Sequence, residues 1–196
     1  MRYTTQFLLS ALSAAQFPAP SVPEIAFLGR SNVGKSSLLN ALVGDKAAKV
    51  SSTPGRTRAI NFFLVSDERH APCKVLADLP GYGYAKISKS ISAEWPKFIE
   101  PYLHERATLS LCICLVDSNI PPQESDRQLI DWLRAAGRSF AVVATKVDRL
   151  SGNARTRNLQ ALKKGLELEE ILSVSAKTNA GIGELWARIE AAGGAV

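Results

Sequence analysis

As a string of apolar and polar positions, the chain alternates short, nearly continuous apolar runs with longer stretches of helical period. Glu24–Leu28, Ala59–Val65, Lys74–Ala77, Leu109–Val116, Phe140–Ala144 and Ile171–Val174 predict strands. The unbroken runs Leu109–Val116 and Phe140–Ala144 suit parallel strands covered on both faces. Between the strands, Ser36–Val43, Ser90–His104, Glu124–Ala136, Ala154–Lys164 and Ile182–Ala191 predict helices, the second with a break near Pro96 or Pro101. Leu38, Leu39 and Leu42 mark one inward face, and Leu129, Ile130 and Leu133 another. Val50–Arg58 and Asp78–Lys89 read as loops and Asp67–Ala71 as a turn. Strand following helix throughout predicts an α/β domain of three layers, with a mostly parallel six-stranded sheet and helices on both faces.

The opening segment is read differently. Phe7, Leu8, Ala11, Leu12 and Ala15 share one face at helical spacing, so Phe7–Phe17 is expected to be a helix packed on the body. Pro18, Pro20 and Pro23 then separate a helical extension over residues 1–20 from a single domain over 21–196. A secretory leader is the weaker reading of that segment, since only one Arg precedes a short apolar stretch.

Composition narrows the class. At 46% apolar and 21% charged residues the chain fits a soluble globular protein. No run reaches the roughly eighteen apolar residues of a membrane span, so no membrane partner is expected. The charge of +6, from 24 Lys and Arg against 18 Asp and Glu, favours approach to a polyanion without identifying one. Cys73, Cys112 and Cys114, with two histidines, show no metal-ligand spacing. Cys112 and Cys114 alternate within an apolar run as buried strand residues do. Free thiols there point to a reducing, cytoplasmic setting.

The chemistry begins at Gly29–Ser37, "GRSNVGKSS", directly after the Glu24–Leu28 strand and at the start of a helix. Gly29, four residues (Arg30, Ser31, Asn32, Val33), then Gly34, Lys35 and Ser36 form a phosphate loop in its required strand-to-helix context. Its glycines let backbone N–H groups converge on phosphate, and the first helical turn, including Ser37, adds its free N–H groups. Lys35 would neutralise the terminal phosphates and Ser36 would ligate Mg²⁺. ATPases share this loop, so the base is read elsewhere. Thr145-Lys146-Val147-Asp148 ends the Phe140–Ala144 strand, where ligands bind in such sheets. The Asp148 carboxylate can accept from the ring N–H and exocyclic amine of guanine, a pair that adenine lacks. Lys146 can lay its stem along the base. Ser175-Ala176-Lys177 follows the next strand, and the Ala176 N–H can donate to the guanine carbonyl. Asp148 argues against a metabolic ATPase or kinase.

Taken together these segments resemble the five signature elements of translation-factor-class GTPases. "GRSNVGKSS" matches the first, Thr57 in "TPGRTRAINFF" the second, "DLPGYGYA" (Asp78–Ala85) the third, and "TKVD" and "SAK" the fourth and fifth. The second and third are most similar to the EngB/YihA/YsxC family of bacterial ribosome-biogenesis GTPases, over about Phe17–Ile189. The resemblance implies a Ras-like P-loop GTPase domain that binds GTP and GDP with Mg²⁺. It implies slow hydrolysis of GTP as a switch in assembly of the large ribosomal subunit. The expected partners are that subunit or its precursor, ribosomal RNA and proteins, with no DNA and a monomeric chain. A regulatory switch acting on a protein partner is the alternative.

The resemblance also implies roles. Asp78 holds Mg²⁺ through a water, Gly81 offers its N–H to the γ-phosphate, and Thr57 closes on Mg²⁺ when GTP is bound; Thr53 competes for that part. Lys35, Thr57 and Gly81 form the catalytic set. Thr145 replaces the commoner Asn, a variant usual in the family. Tyr82 stands where signalling GTPases carry a catalytic glutamine, which predicts slow intrinsic turnover. Arg30, Arg56 and Arg58 serve as a finger in cis or as RNA-backbone contacts, with Lys86 and Lys89 adding charge nearby. Asn32 is either a ligand for an activating K⁺ or a turn-former.

Overall fold

The computed structural model describes residues 3–43, 59–82 and 97–192. Their elements run β1 (Thr4–Ala11), β2 (Glu24–Gly29), α1 (Lys35–Val43), β3 (Ile60–Ser66), β4 (Pro72–Asp78), α2 (Ile99–Glu105), β5 (Leu109–Asp117), α3 (Glu124–Ala135), β6 (Phe140–Thr145), α4 (Gly152–Gly165), β7 (Leu172–Ser173) and α5 (Ile182–Ala191). The strands form one sheet in the order β1-β3-β4-β2-β5-β6-β7. Pairing is parallel from β4 through β7 and antiparallel at β3/β4 and β1/β3.

Leu38, Leu39 and Leu42 of α1 pack with Leu185 and Ile189 of α5 on one face of the sheet. Tyr102 and Leu103 of α2, Leu129, Ile130 and Leu133 of α3 and Leu162 of α4 pack on the other. This is the three-layer architecture read from the pattern, and β5, with seven of its nine residues buried, shows why its run is unbroken. Cys112 and Cys114 lie inside it, and burial lifts the Cys112 thiol to about 12, so both stay as protonated apolar side chains. Pro101 falls in the first turn of α2, where an N–H has no intrahelical partner to lose. The expected loop Val50–Arg58 and the part of the expected Ser90–His104 helix before residue 97 lie outside the described residues.

Two expectations are corrected. Residues 4–11 form a strand rather than the start of a helix, and the sheet therefore has seven strands rather than six. The register from Thr4↔Ser66 to Ala11↔Ile60 shifts between Phe7 and Leu9, the mark of a bulge. An extra residue in a strand breaks the period of two. Phe7 joins one core layer while Leu8 and Leu9 join the other, so consecutive apolar positions imitate a helical stripe. The β3 edge decides the matter, since its backbone groups need partners that a helix does not supply. A short turn at Ala14–Gln16 follows. Phe17 then packs edge-on against Tyr102 at 5.3 Å and Phe62 at 6.0 Å.

The foot of the sheet is pinned by one buried carboxylate. Glu24, 1% exposed at the start of β2, accepts from Tyr102 Oη (2.8 Å), Thr108 Oγ1 (2.7 Å) and Arg106 Nε (2.8 Å). Arg106 also donates to the Pro18 carbonyl at 2.6 Å. A charge buried this deeply is tolerated only when it is paired and hydrogen-bonded in full.

At the opposite end, Tyr82 is 1% exposed and donates its phenol O–H to Asp126 Oδ1 of α3 at 3.0 Å. Burial raises the Asp126 carboxyl to about 6, while the Tyr82 hydroxyl and the charge of Arg30 hold it back. This pKa lies above that of an unfolded carboxylate, so between about pH 4 and 6 the folded chain keeps a proton that the unfolded chain has lost. The resulting stability is complete below about pH 4 and is lost as the pH rises through about 6. That amounts to as much as about 3 kcal/mol, from about two pKa units. Asp126→Asn keeps an acceptor for Tyr82 and cannot ionise. It is expected to raise the unfolding free energy at pH 7.5 by about 1–3 kcal/mol and to equal the parent near pH 4, as measured by urea titrations at both pH values.

Candidate functional site

The glycine-rich loop leaves the end of β2 at Gly29 and enters α1 at Lys35. It is bound to the segment after β4 by an extension of the β2/β4 ladder. Leu79 N–H donates to Phe27 O at 3.1 Å, Ser31 N–H to Tyr82 O at 3.0 Å and Tyr82 N–H to Gly29 O at 3.4 Å. Arg30 and Tyr82 form a parallel bridge pair. At Gly81 a Cβ would lie 3.0 Å from Ser31 Oγ and 3.1 Å from Ser31 N, so a side chain there would press the two loops apart by a few tenths of an ångström. Gly34 turns the chain into α1 at φ +106°, a conformation that residues with a Cβ rarely adopt.

Lys35 donates through Nζ to Asp78 Oδ1, and both side chains are largely buried. The cation at the head of α1 and the carboxylate at the end of β4 therefore meet at one point. Ser36 and Ser37 are exposed beside them on the first turn of α1. Among the described residues no group of three His, Cys, Asp or Glu gathers as in an all-protein metal cage. One carboxylate and one exposed hydroxyl instead fit a Mg²⁺ that takes its other ligands from phosphate and water. Thr57, Thr53, Arg56, Arg58, Lys86 and Lys89 lie outside the described residues.

The second half of the site is built by the ends of β6 and β7. Thr145, 3% exposed, has its Oγ1 2.6 Å from Val33 O and 3.1 Å from Val116 O. Its hydroxyl thus ties the glycine-rich loop to the sheet. Lys146 adopts a left-handed backbone, φ 60°, as does Asn32, φ 64°. Its Nζ donates to Asn32 O at 2.7 Å and to Asp117 Oδ2 at 2.6 Å. Asp148 is an exposed carboxylate that accepts from Ser175 Oγ at 2.7 Å, and this hydrogen bond, with the charges of Lys177 and Arg149, holds it below the usual carboxylate range. Ser175 is fully buried, and its Oγ accepts from Thr178 N–H at 3.1 Å.

A cavity of about 310 Å³ runs between these halves, lined by Gly34, Ser37 and Leu38 on one side and by Thr145, Lys146, Asp148, Ala176 and Lys177 on the other. Two segments more than a hundred residues apart in the chain thus share one wall. Sequence reading missed Asp117 and Asn119. Asn119 donates from Nδ2 to Asp117 Oδ1 at 3.0 Å and to Lys146 O at 3.2 Å. The available signal was their place just past the Leu109–Val116 run, at a strand's carboxyl end.

Residues 24–146 match the family described as 50S ribosome-binding GTPase. The chain is 65% identical over 191 residues to a probable GTP-binding protein EngB of Acidobacterium capsulatum, covering 96% of this chain and 90% of that one. It is 59% identical over 195 residues to a protein of the same description from Koribacter versatilis, covering 98% and 96%. A crystal structure of a probable GTP-binding protein engB superposes with a TM-score of 0.64 at 23% identity, over 86% of this chain and 97% of the other. The glycine-rich loop, the strand-end cavity and this relatedness along nearly the whole chain lead to one conclusion: the chain belongs to the EngB/YihA family of P-loop GTPases.

Proposed function

We propose that this chain holds GTP in the cavity between the glycine-rich loop and the β6 and β7 ends, hydrolyses it slowly, and uses the two nucleotide states as a switch in assembly of the large ribosomal subunit. One observation carries the reading. The phosphate-loop residues Gly34 and Ser37 line the same cavity as Lys146, Asp148, Ala176 and Lys177, which is the span a nucleotide needs from phosphates to base.

In this reading the backbone of Gly29–Ser37 cradles the phosphates and Lys35 neutralises the terminal ones. Ser36, Asp78 and Thr57 would hold Mg²⁺, which would supply positive charge to offset that of the phosphates. Gly81 presents its N–H to the γ-phosphate. Lys146 walls the base, Asp148 accepts from its ring N–H and amine, and Ala176 N–H donates to its carbonyl, flanked by Ser175 and Lys177. Asp148 is ionised at neutral pH, since its pKa is held down, and so presents acceptors only. The Tyr82 hydroxyl is buried and engaged by Asp126, so it does not orient a water as a glutamine amide does. Turnover by the chain alone is accordingly slow, and a further cation or partner supplies what is missing.

Asp148→Asn replaces one acceptor with a donor facing the base. Competition binding is expected to show GTP affinity reduced by about 1–3 kcal/mol and xanthosine triphosphate gained as a ligand, with ATP excluded throughout. Unchanged GTP affinity overturns the assignment of the base pocket.

Asn32 sits exposed at the crest of the loop, with a left-handed backbone. Its side-chain oxygen is available to a large monovalent cation that joins phosphate oxygens there, in the role that an arginine finger fills in other GTPases. Steady-state hydrolysis is expected to be faster in K⁺ than in Na⁺ at equal ionic strength, and the difference to vanish in Asn32→Ala. Equal parent rates in the two salts remove K⁺ from the mechanism.

The excess of cationic side chains, +6 overall, favours contact with a ribosomal RNA backbone, and the family description of 50S binding supports the same partner. Co-sedimentation with large-subunit precursors is expected with a non-hydrolysable GTP analogue, to weaken with GDP, and to fall steeply as salt rises. Pelleting that is indifferent to both nucleotide and salt speaks against the ribosomal role.

A further inference from the structure

Lys146 is held at its side-chain end by Asp117 and at its main-chain end by Asn119, which Asp117 itself fixes, and both residues lie outside every signature motif. Its ammonium lies 2.6 Å from Asp117 Oδ2 and 2.7 Å from Asn32 O. Its backbone carbonyl accepts from Asn119 Nδ2 at 3.2 Å, and Asn119 is fixed in turn through its N–H and Nδ2, each 3.0 Å from Asp117 Oδ1. The two oxygens of Asp117 therefore divide the task, Oδ2 taking the side-chain end of Lys146 and Oδ1 the main-chain end.

The arrangement answers a specific need. Lys146 adopts a left-handed backbone, φ 60°, which a residue with a Cβ enters only when its surroundings impose it. A lysine stem is also flexible, and it forms a dependable wall for a planar ring only if its far end is fixed. Side-chain exposures of 21% for Lys146 and 16% for Asp117 take the pair out of the class of solvent-screened surface bridges. Partial burial pushes the Asp117 carboxyl up, but the Lys146 ammonium and the Asn119 donors outweigh it and hold its pKa below the usual range.

We infer that Asp117 is a positioning residue for nucleotide retention: by anchoring Lys146 at both ends it fixes the wall of the base pocket and, through Asn32 O, the crest of the phosphate loop. This rests on the reading of the cavity as the guanine nucleotide site. Asp117 touches Lys146 and Asn119 and does not line the cavity itself. Its effect is thus on how long the nucleotide stays, whichever base Asp148 selects.

The test is dissociation of fluorescently labelled GDP by stopped flow, in a double-mutant cycle. Asp117→Asn keeps an oxygen for Asn119 and breaks only the link to the ammonium. It is expected to speed GDP release about tenfold in the parent background and less than about twofold in a Lys146→Met background. Asn119→Ala removes the main-chain anchor and is expected to speed release in both backgrounds. The melting temperatures of the nucleotide-free variants should stay close to the parent's, because the altered contacts are local to the pocket rim. Unchanged release in Asp117→Asn, or an equal acceleration in both backgrounds, overturns the proposal. Displacement of the probe from the parent by GTP and not by ATP checks the underlying guanine reading separately, before any variant is compared.

Discussion

β2 is hydrogen-bonded on both edges, to β4 and to β5, and all six of its residues are buried, so the point where the chain leaves it is fixed in three dimensions. The connection from β2 runs to α1 on one face of the sheet and that from its neighbour β5 to α3 on the other, which opens a crevice at the carboxyl ends of the strands. The glycine-rich loop starts at that point. Its backbone continues the β2/β4 pairing as far as Tyr82, so the two loops that would meet phosphate form a single hydrogen-bonded unit. A shift in one is a shift in the other. Lys35 and Asp78 face each other because their elements have no freedom to place them elsewhere.

The same frame explains the division of charge. At the foot of β2 the Glu24 carboxylate is fully satisfied by Tyr102, Arg106 and Thr108, and its role is to lock strands together. At the head, Asp148 and Asp117 are held in ionised form by hydroxyl, amide and ammonium donors, and their oxygens accept from Ser175 and from Lys146 and Asn119. Asp126 differs again, since burial raises its pKa and its principal partner is the Tyr82 hydroxyl. That contact draws the first residue after Gly81 into the core beside α3. It leaves the position without the amide that a glutamine would carry there.

Lys146 links the two halves of the site. Through Asn32 O it reaches the phosphate loop, and through Asp117 and Asn119 it reaches the end of β5. Thr145 runs parallel to it, joining Val33 to Val116. The end of β6 and the glycine-rich loop are therefore coupled through two short polar contacts rather than through a long path.

Much of this was legible in the sequence, because it depends on local signals. Continuous apolar runs marked the parallel strands, Leu38-Leu39-Leu42 and Leu129-Ile130-Leu133 marked helix faces, and the Gly29–Ser37 spacing with its strand and helix marked the loop. Those signals lie within a few residues of the structure they specify. What the tertiary structure decided involves partners distant in the chain. Residues 4–11 carry a pattern that both a helix and a bulged strand satisfy, and only the otherwise unpaired edge of β3, far along the chain, selects the strand. Asp117 and Asn119 follow an apolar run like any turn residues, and their bearing on Lys146 exists only because β5 and β6 lie side by side. Tyr82 reads as a substitution for glutamine, but its burial against Asp126 follows from the packing of α3 on the sheet. Periodicity reports which face of an element is covered, whereas the identity of what covers it is set by pairings that sequence neighbours do not encode.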